Sequence, residues 1–169
     1  RRGYGQSSPV AEKLPPDYLH GEAWDVLPAL LDRLGAARPV LLGHSDGASI
    51  ALLYASRFPV AACIVMAPHV MVEDVSIESI AQARDAFQDK SNGLRQRLAR
   101  YHADVDGAFW QWNDAWLNPA FRAFDIREDC RHISAPVLAI QGVDDPYGTM
   151  AQIDQIPLPQ GQITRLPLQ

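Results

Sequence analysis

The sequence predicts an α/β fold built on a parallel sheet. The first observation behind this is a set of short, wholly apolar segments at 39–42, 61–67 and 136–140. Unbroken runs of that kind suit strands buried on both faces of a parallel sheet. The second is that stretches of helical period lie between them. The third is composition: 47% hydrophobic and 21% charged residues over 169 positions is globular, not disordered. The formal net charge of −5 comes with no basic block, so neither nucleic acid nor an anionic membrane surface is an expected partner. No apolar run approaches the roughly 20 residues of a membrane span. The two cysteines, Cys63 and Cys130, form no CxxC pair. A disulfide framework, a structural zinc site, other metals and cofactors are therefore not expected. The chain begins without an initiator methionine or signal-peptide pattern, and a cytoplasmic protein with a small-molecule partner is the expectation.

In chain order, residues 1–19 are loop-like, broken by Gly3, Gly5, Pro9, Pro15 and Pro16. Residues 21–34 repeat Trp24, Leu27, Leu30, Leu31 and Leu34 at helical spacing, with Gly35 as a C-terminal cap. The strand at 39–42 leads into a tight turn at 43–47 and a helix of small and apolar residues at 48–57. The strand at 61–67 ends at Pro68 and His69. Residues 72–131 hold three helical stretches, near 76–89, 93–104 and 106–117, and no strand-like run. Seven aromatic residues fall between Tyr101 and Phe124, among them Trp110, Trp112 and Trp116. The strand at 136–140 is followed by a short helix at 149–156 and a last strand at 162–166. The expected organisation is a single partial domain over 1–169. Residues 1–71 and 132–169 form its core, and 72–131 a helical insertion over the sheet.

Gly43-His44-Ser45-Asp46-Gly47 fits G-x-S-x-G between an apolar strand and a helix. In that context Ser45 sits on a sharp strand-to-helix turn, with Gly43 and Gly47 relieving crowding. Its hydroxyl then lies near a helix N-terminus, where developing negative charge is favoured. The N–H of Asp46 is placed to donate to an oxyanion. The same residues also suit a structural turn in which Ser45 or Asp46 caps the helix.

With these residues the chain resembles the α/β-hydrolase superfamily. Arg2-Gly3-Tyr4-Gly5-Gln6-Ser7 is similar to its R-G-x-G-x-S loop, residues 40–54 to its elbow and following helix, and residues 137–145 to the strand and loop that present the catalytic acid. The resemblance implies a Ser-acid-His triad with Ser45 as nucleophile and Asp145 as acid, in the G-x-x-D register of Gly142-Val143-Asp144-Asp145. Asp144 is the alternative acid, and a plain acidic turn is the non-catalytic one. The position after the nucleophile departs from the family's usual apolar or amide residue. A carboxylate at Asp46 opposes oxyanion charge unless it points away, and it is also a candidate supporting or substrate-binding group.

The family's histidine follows the acid, yet His20, His44, His69, His102 and His132 all precede Asp145. The expectation is that the base comes after Gln169 and the second oxyanion donor before Arg1, in a protein of roughly 250–280 residues. His69, after a buried strand, is a candidate pocket residue. His44 is expected to pack or cap at the elbow, and His20 and His132 to lie on the surface. In the resembling enzymes the insertion is a lid, so Trp110, Trp112 and Trp116 are candidate substrate contacts, or the rings that seat the insertion. The implied activity is serine hydrolysis of a small, largely apolar ester. C–C bond or thioester hydrolysis, a non-catalytic receptor and an inactive fragment are the alternatives.

Overall fold

The computed structural model describes residues 1–169. Its contacts divide into two compact units, one of residues 17–73 and 123–169 and the other of residues 1–16 and 74–122. The opening loop thus belongs with the helices, and residues 123–131 with the sheet. No helix is long and apolar enough to cross a membrane.

The first unit opens with α1 (Tyr18–Gly21), a π-helical turn (Glu22–Val26) and α2 (Leu27–Arg33). The expected single helix is there but starts earlier and widens in the middle. Pro28 explains the widening: it has no N–H for the Trp24 carbonyl, and its ring crowds that oxygen. The sheet is β1 (Val40–His44), β2 (Ala62–Met66), β3 (Val137–Gly142) and β4 (Ile163–Leu168), in that spatial order and parallel throughout. Leu42 pairs with Ile64, Ile64 with Leu138, and Leu138 with Thr164.

Between β1 and β2 runs α3 (Asp46–Ala55), which starts two residues before the expected helix and is buried at nine of its ten positions. It packs on both strands, as a parallel crossover requires. In β3 burial alternates, with Val137, Ala139 and Gln141 inside. Burial on both faces does not hold for β1: Val40 and Leu42 are 59% and 66% exposed, because β1 is the outer strand of these four. After β2 the chain returns antiparallel to itself, with Ile126 N–H donating to Val70 O and Val72 N–H to Phe124 O. The unit is completed by α7 (Arg127–Cys130) and α8 (Ala151–Asp154). Arg165 donates to the Ile153 and Ile156 carbonyls at the end of α8. Cys63 and Cys130 are buried free thiols, and burial pushes them up to about 11 and about 12.

The second unit holds α4 (Asp74–Gln88), α5 (Leu94–Leu98) and α6 (Val105–Trp116), followed by a 3-10 turn (Pro119–Ala123). Phe87 of α4 stacks on Phe109 of α6 with centroids 3.8 Å apart, and Asn113 Nδ2 donates to Ile80 O. Asp104 caps α6 by accepting from Gly107 N–H at 2.9 Å. The helix expected over 93–104 ends at Leu98; residues 99–102 continue in turns that bond back to residues 95–98, and the opening loop takes the chain at 102–103. Gly5 N–H donates to His102 Nδ1 at 3.0 Å, and Ala103 N–H donates to Gly5 O at 2.9 Å. Gly3 has φ +82°, which strains any L side chain, and a Cβ there would push aside the Gln111 amide, 2.1 Å away.

Candidate active site

The site is built from the carboxyl ends of β1, β2 and β3. Ser45 joins β1 to α3 with φ 53° and ψ −124°, a region that non-glycine residues rarely occupy. Its N–H donates to Met66 O of β2 at 3.0 Å, and its carbonyl accepts from Ala48 and Ser49 N–H, the first bonds of the helix. The backbone is held from both sides and the half-buried hydroxyl stands at the turn. Gly43 is required by contact: a Cβ there would sit 2.2 Å from Gly47 O and 2.7 Å from Ala48 N. The same need expected of Gly47 is not met. A Cβ on Gly47 would have no atom within 4 Å, since it points away from the strand–helix contact.

Asp46 is the first residue of α3 and is 7% exposed. Its Oδ2 accepts from Tyr18 Oη at 2.8 Å. First-turn N–H groups have no partner within their own helix, so the Asp46 amide is of the kind that binds anions. His44, expected to pack or cap, is exposed at the end of the outer strand.

His69 follows β2 and is 4% exposed. The strained Ala67, at φ 45°, turns the chain into it. The buried Ser49 hydroxyl donates to His69 O at 2.6 Å and accepts from His69 N–H at 3.1 Å, fixing its backbone. Burial pulls the imidazole below its ordinary range, opposed by the negative charges of Asp46, Asp145 and Glu73.

Asp145 is half-buried beyond the end of β3, and Asp144 is exposed. Asp145 Oδ1 accepts from Tyr147 N–H at 2.8 Å, and Oδ2 from Gln141 Nε2 at 3.2 Å. Gln141 Nε2 also donates to Gly148 O at 3.0 Å, so one buried amide holds the Asp145 carboxylate and its loop together. A second clamp lies just beyond. Glu73 accepts from Thr149 Oγ1, Thr149 N–H and Gln152 Nε2, while Gln152 Oε1 accepts from Val70 N–H. Burial pushes the Glu73 carboxyl up, but these hydrogen bonds outweigh it and hold the group below its ordinary range. Two strand spacings separate β1 from β3, so Ser45 and Asp145 rise from strands roughly 10 Å apart.

The three tryptophans belong to α6. Trp116 is 1% exposed against Phe121, with centroids 4.8 Å apart. Trp110 and Trp112, both half-buried, meet Phe109 edge-on at 5.2 and 5.7 Å. His20, expected on the surface, is half-buried. It packs edge-on to Trp24 at 4.8 Å, and burial lowers its pKa, with Asp129 and Asp17 opposing. Sequence reasoning missed Tyr18, Ser49 and Gln141. Only Gln141 left a signal, as a polar residue at the inward position that ends an apolar strand.

A sequence model of the Alpha/beta hydrolase family matches residues 1–167, the elbow and the acid loop included. The chain belongs to that family. Among the relatives of this family member, the serine hydrolase BPHL of Homo sapiens is 27% identical over 154 residues. The bifunctional esterase/perhydrolase DCH of Acinetobacter calcoaceticus is 26% identical over 176 residues. Each alignment covers 86% of the chain, which spans 51% of the first relative's length and 62% of the second's. Solved structures share the fold. An alpha/beta fold family hydrolase from Bacillus anthracis str. Sterne superposes with a TM-score of 0.71 at 17% identity, covering 99% of this chain and 72% of the other. The enol-lactonase from Burkholderia xenovorans LB400 does so at 0.68 and 24% identity, covering 99% and 69%.

Proposed function

We propose that this chain carries the nucleophile and the acid of a serine hydrolase acting on a small, largely apolar ester by acyl transfer. The observation that carries the reading is Ser45: a serine held at φ 53° where a strand meets a helix N-terminus. Backbone strain of this kind gathers at functional sites, because only a tightly determined surrounding maintains it. In the proposed reaction Ser45 Oγ attacks the ester carbonyl carbon. A histidine takes the Ser45 proton, and the carbonyl π electrons move to the oxygen, toward the Asp46 N–H. As the oxyanion's electron pair re-forms the carbonyl, the bond to the leaving oxygen breaks and that oxygen takes the proton from the histidine. Water attacks the acyl-enzyme by the same route and frees Ser45 and a carboxylic acid. Asp145 orients the imidazole and stabilises it once charged. The family's order places that histidine after the acid, and no histidine of these 169 residues follows Asp145. His69 is proposed as a substrate contact rather than the base. The substrate contacts expected of Trp110, Trp112 and Trp116 belong to the same proposal.

The test uses the full-length protein. A fluorophosphonate should label one serine, and peptide mass mapping should find it at Ser45. Turnover of a short-chain p-nitrophenyl ester should fall at least about 1000-fold in Ser45→Ala. Labelling elsewhere, or turnover that survives the substitution, overturns the reading.

A further inference from the structure

Asp46 poses a chemical conflict. Its amide is the proposed oxyanion donor, while its side chain carries charge of the same sign as the oxyanion. Both Tyr18 and Asp46 are buried, at 5% and 7% exposure, and Tyr18 Oη lies 2.8 Å from Asp46 Oδ2. We infer that Tyr18 is a positioning residue of this site: its hydroxyl pins the carboxylate that follows the nucleophile, so that the negative charge does not oppose the developing oxyanion. The inference rests on the serine-hydrolase reading.

The geometry is specific. Tyr18 belongs to α1, which packs against α3, and its neighbours Leu19 and Ala23 are fully buried, so the phenol has a fixed base. A phenol donating to a carboxylate forms a charge-assisted bond, stronger than a neutral one. It holds the carboxylate in one rotamer and draws part of its charge onto the donor. The N-terminal end of the α3 dipole favours the charge that remains. Without the hydroxyl, the carboxylate loses the bond that fixes its direction beside its own amide. Charges a few ångströms apart at a buried site interact strongly enough to slow an oxyanion-forming step by about tenfold to a hundredfold.

The experiment is a double-mutant cycle in the full-length protein, with p-nitrophenyl acetate as the probe. Wild type and Ser45→Ala come first: without Ser45-dependent turnover the hydrolase reading fails, and this inference with it. Given such turnover, Tyr18→Phe should lower kcat about tenfold to a hundredfold with KM changed by less than about threefold. In an Asp46→Asn background the same Tyr18→Phe step should cost less than about threefold in kcat. Thermal unfolding of the four proteins runs alongside. Coupling seen in stability alone, with kcat per folded molecule unmoved by Tyr18→Phe, overturns the inference and leaves the hydrolase reading intact. Equal kcat losses in the two backgrounds do the same. If Tyr18→Phe does not fold, Asp46→Glu keeps the charge but changes its reach. It should then be at least about tenfold slower than Asp46→Asn, and a rate equal to or above that of Asp46→Asn overturns the inference.

Discussion

Gln141 is a single side chain with two tasks. Its Nε2 donates to Asp145 and to the Gly148 carbonyl, while its buried Oε1 accepts nothing. Reversing the amide would set oxygen against a carboxylate, so the orientation follows from the network. Replacing it by leucine removes two donated bonds but also relieves one buried acceptor, so the two effects oppose one another. Gln141→Leu should therefore change stability by less than about 1.5 kcal/mol in urea unfolding, yet lower kcat about tenfold by freeing Asp145. A kcat equal to wild type would mean that Tyr147 N–H alone holds the acid. At this scale the strained strand-to-helix turn at Ser45 and the loop place of Asp145 after β3 were legible, because spacing motifs fix backbone positions. The Tyr18–Asp46 bond was not, since it joins side chains 28 residues apart and no local pattern encodes it.

Among elements, the elbow makes the sharpest demand on sequence. Alanine at Gly43 would drive a Cβ into the backbone of Gly47 and Ala48, atoms that cannot swing aside as a flexible side chain can. Gly43→Ala should cost about 2 kcal/mol or more, the scale of forced backbone movement in a packed region. Gly47→Ala meets open space inside a helix and should leave stability level or raise it by up to about 1 kcal/mol. Chemical denaturation of both variants checks the contrast, and equal losses would place the crowding at both glycines. Strands and the long helices were readable from their periods. The helix that stops at Leu98 was not, since its end passes through turns at 99–102 before the loop of residues 1–16 takes the Ala103 N–H, a contact far apart in sequence that no local pattern encodes. The full burial expected of β1 failed because an apolar run does not say whether its strand is central or outer.

For the molecule as a whole, acid should act in two stages. Burial depresses His20 and His69 in the folded state, so between their folded values and about 6.5 the unfolded chain binds more protons. Stability therefore falls as pH drops below about 6.5. Glu73 and Asp125 are held below their ordinary range in the folded state, so their contribution is present above about pH 4 and is lost on further acidification. Urea midpoints from pH 8 to pH 5 should decline only below about 6.5, and less steeply in His20→Gln. A flat profile would mean that neither imidazole is depressed. The division into two units was only partly legible. Residues 72–131 read as one helical block, but the antiparallel return of Asp125 to Met71 draws the last of them into the sheet unit.

The left-handed turn at Ser45 also has a consequence in time. Its unfavourable backbone angles are imposed during folding, when Met66 O takes up the Ser45 N–H and the first turn of α3 closes on the Ser45 carbonyl. From then on the backbone beneath the hydroxyl is held from both sides. On the proposed chemistry no rearrangement of the nucleophile's backbone precedes bond formation, and the interval between one turnover and the next is left to substrate entry, proton movement and product departure.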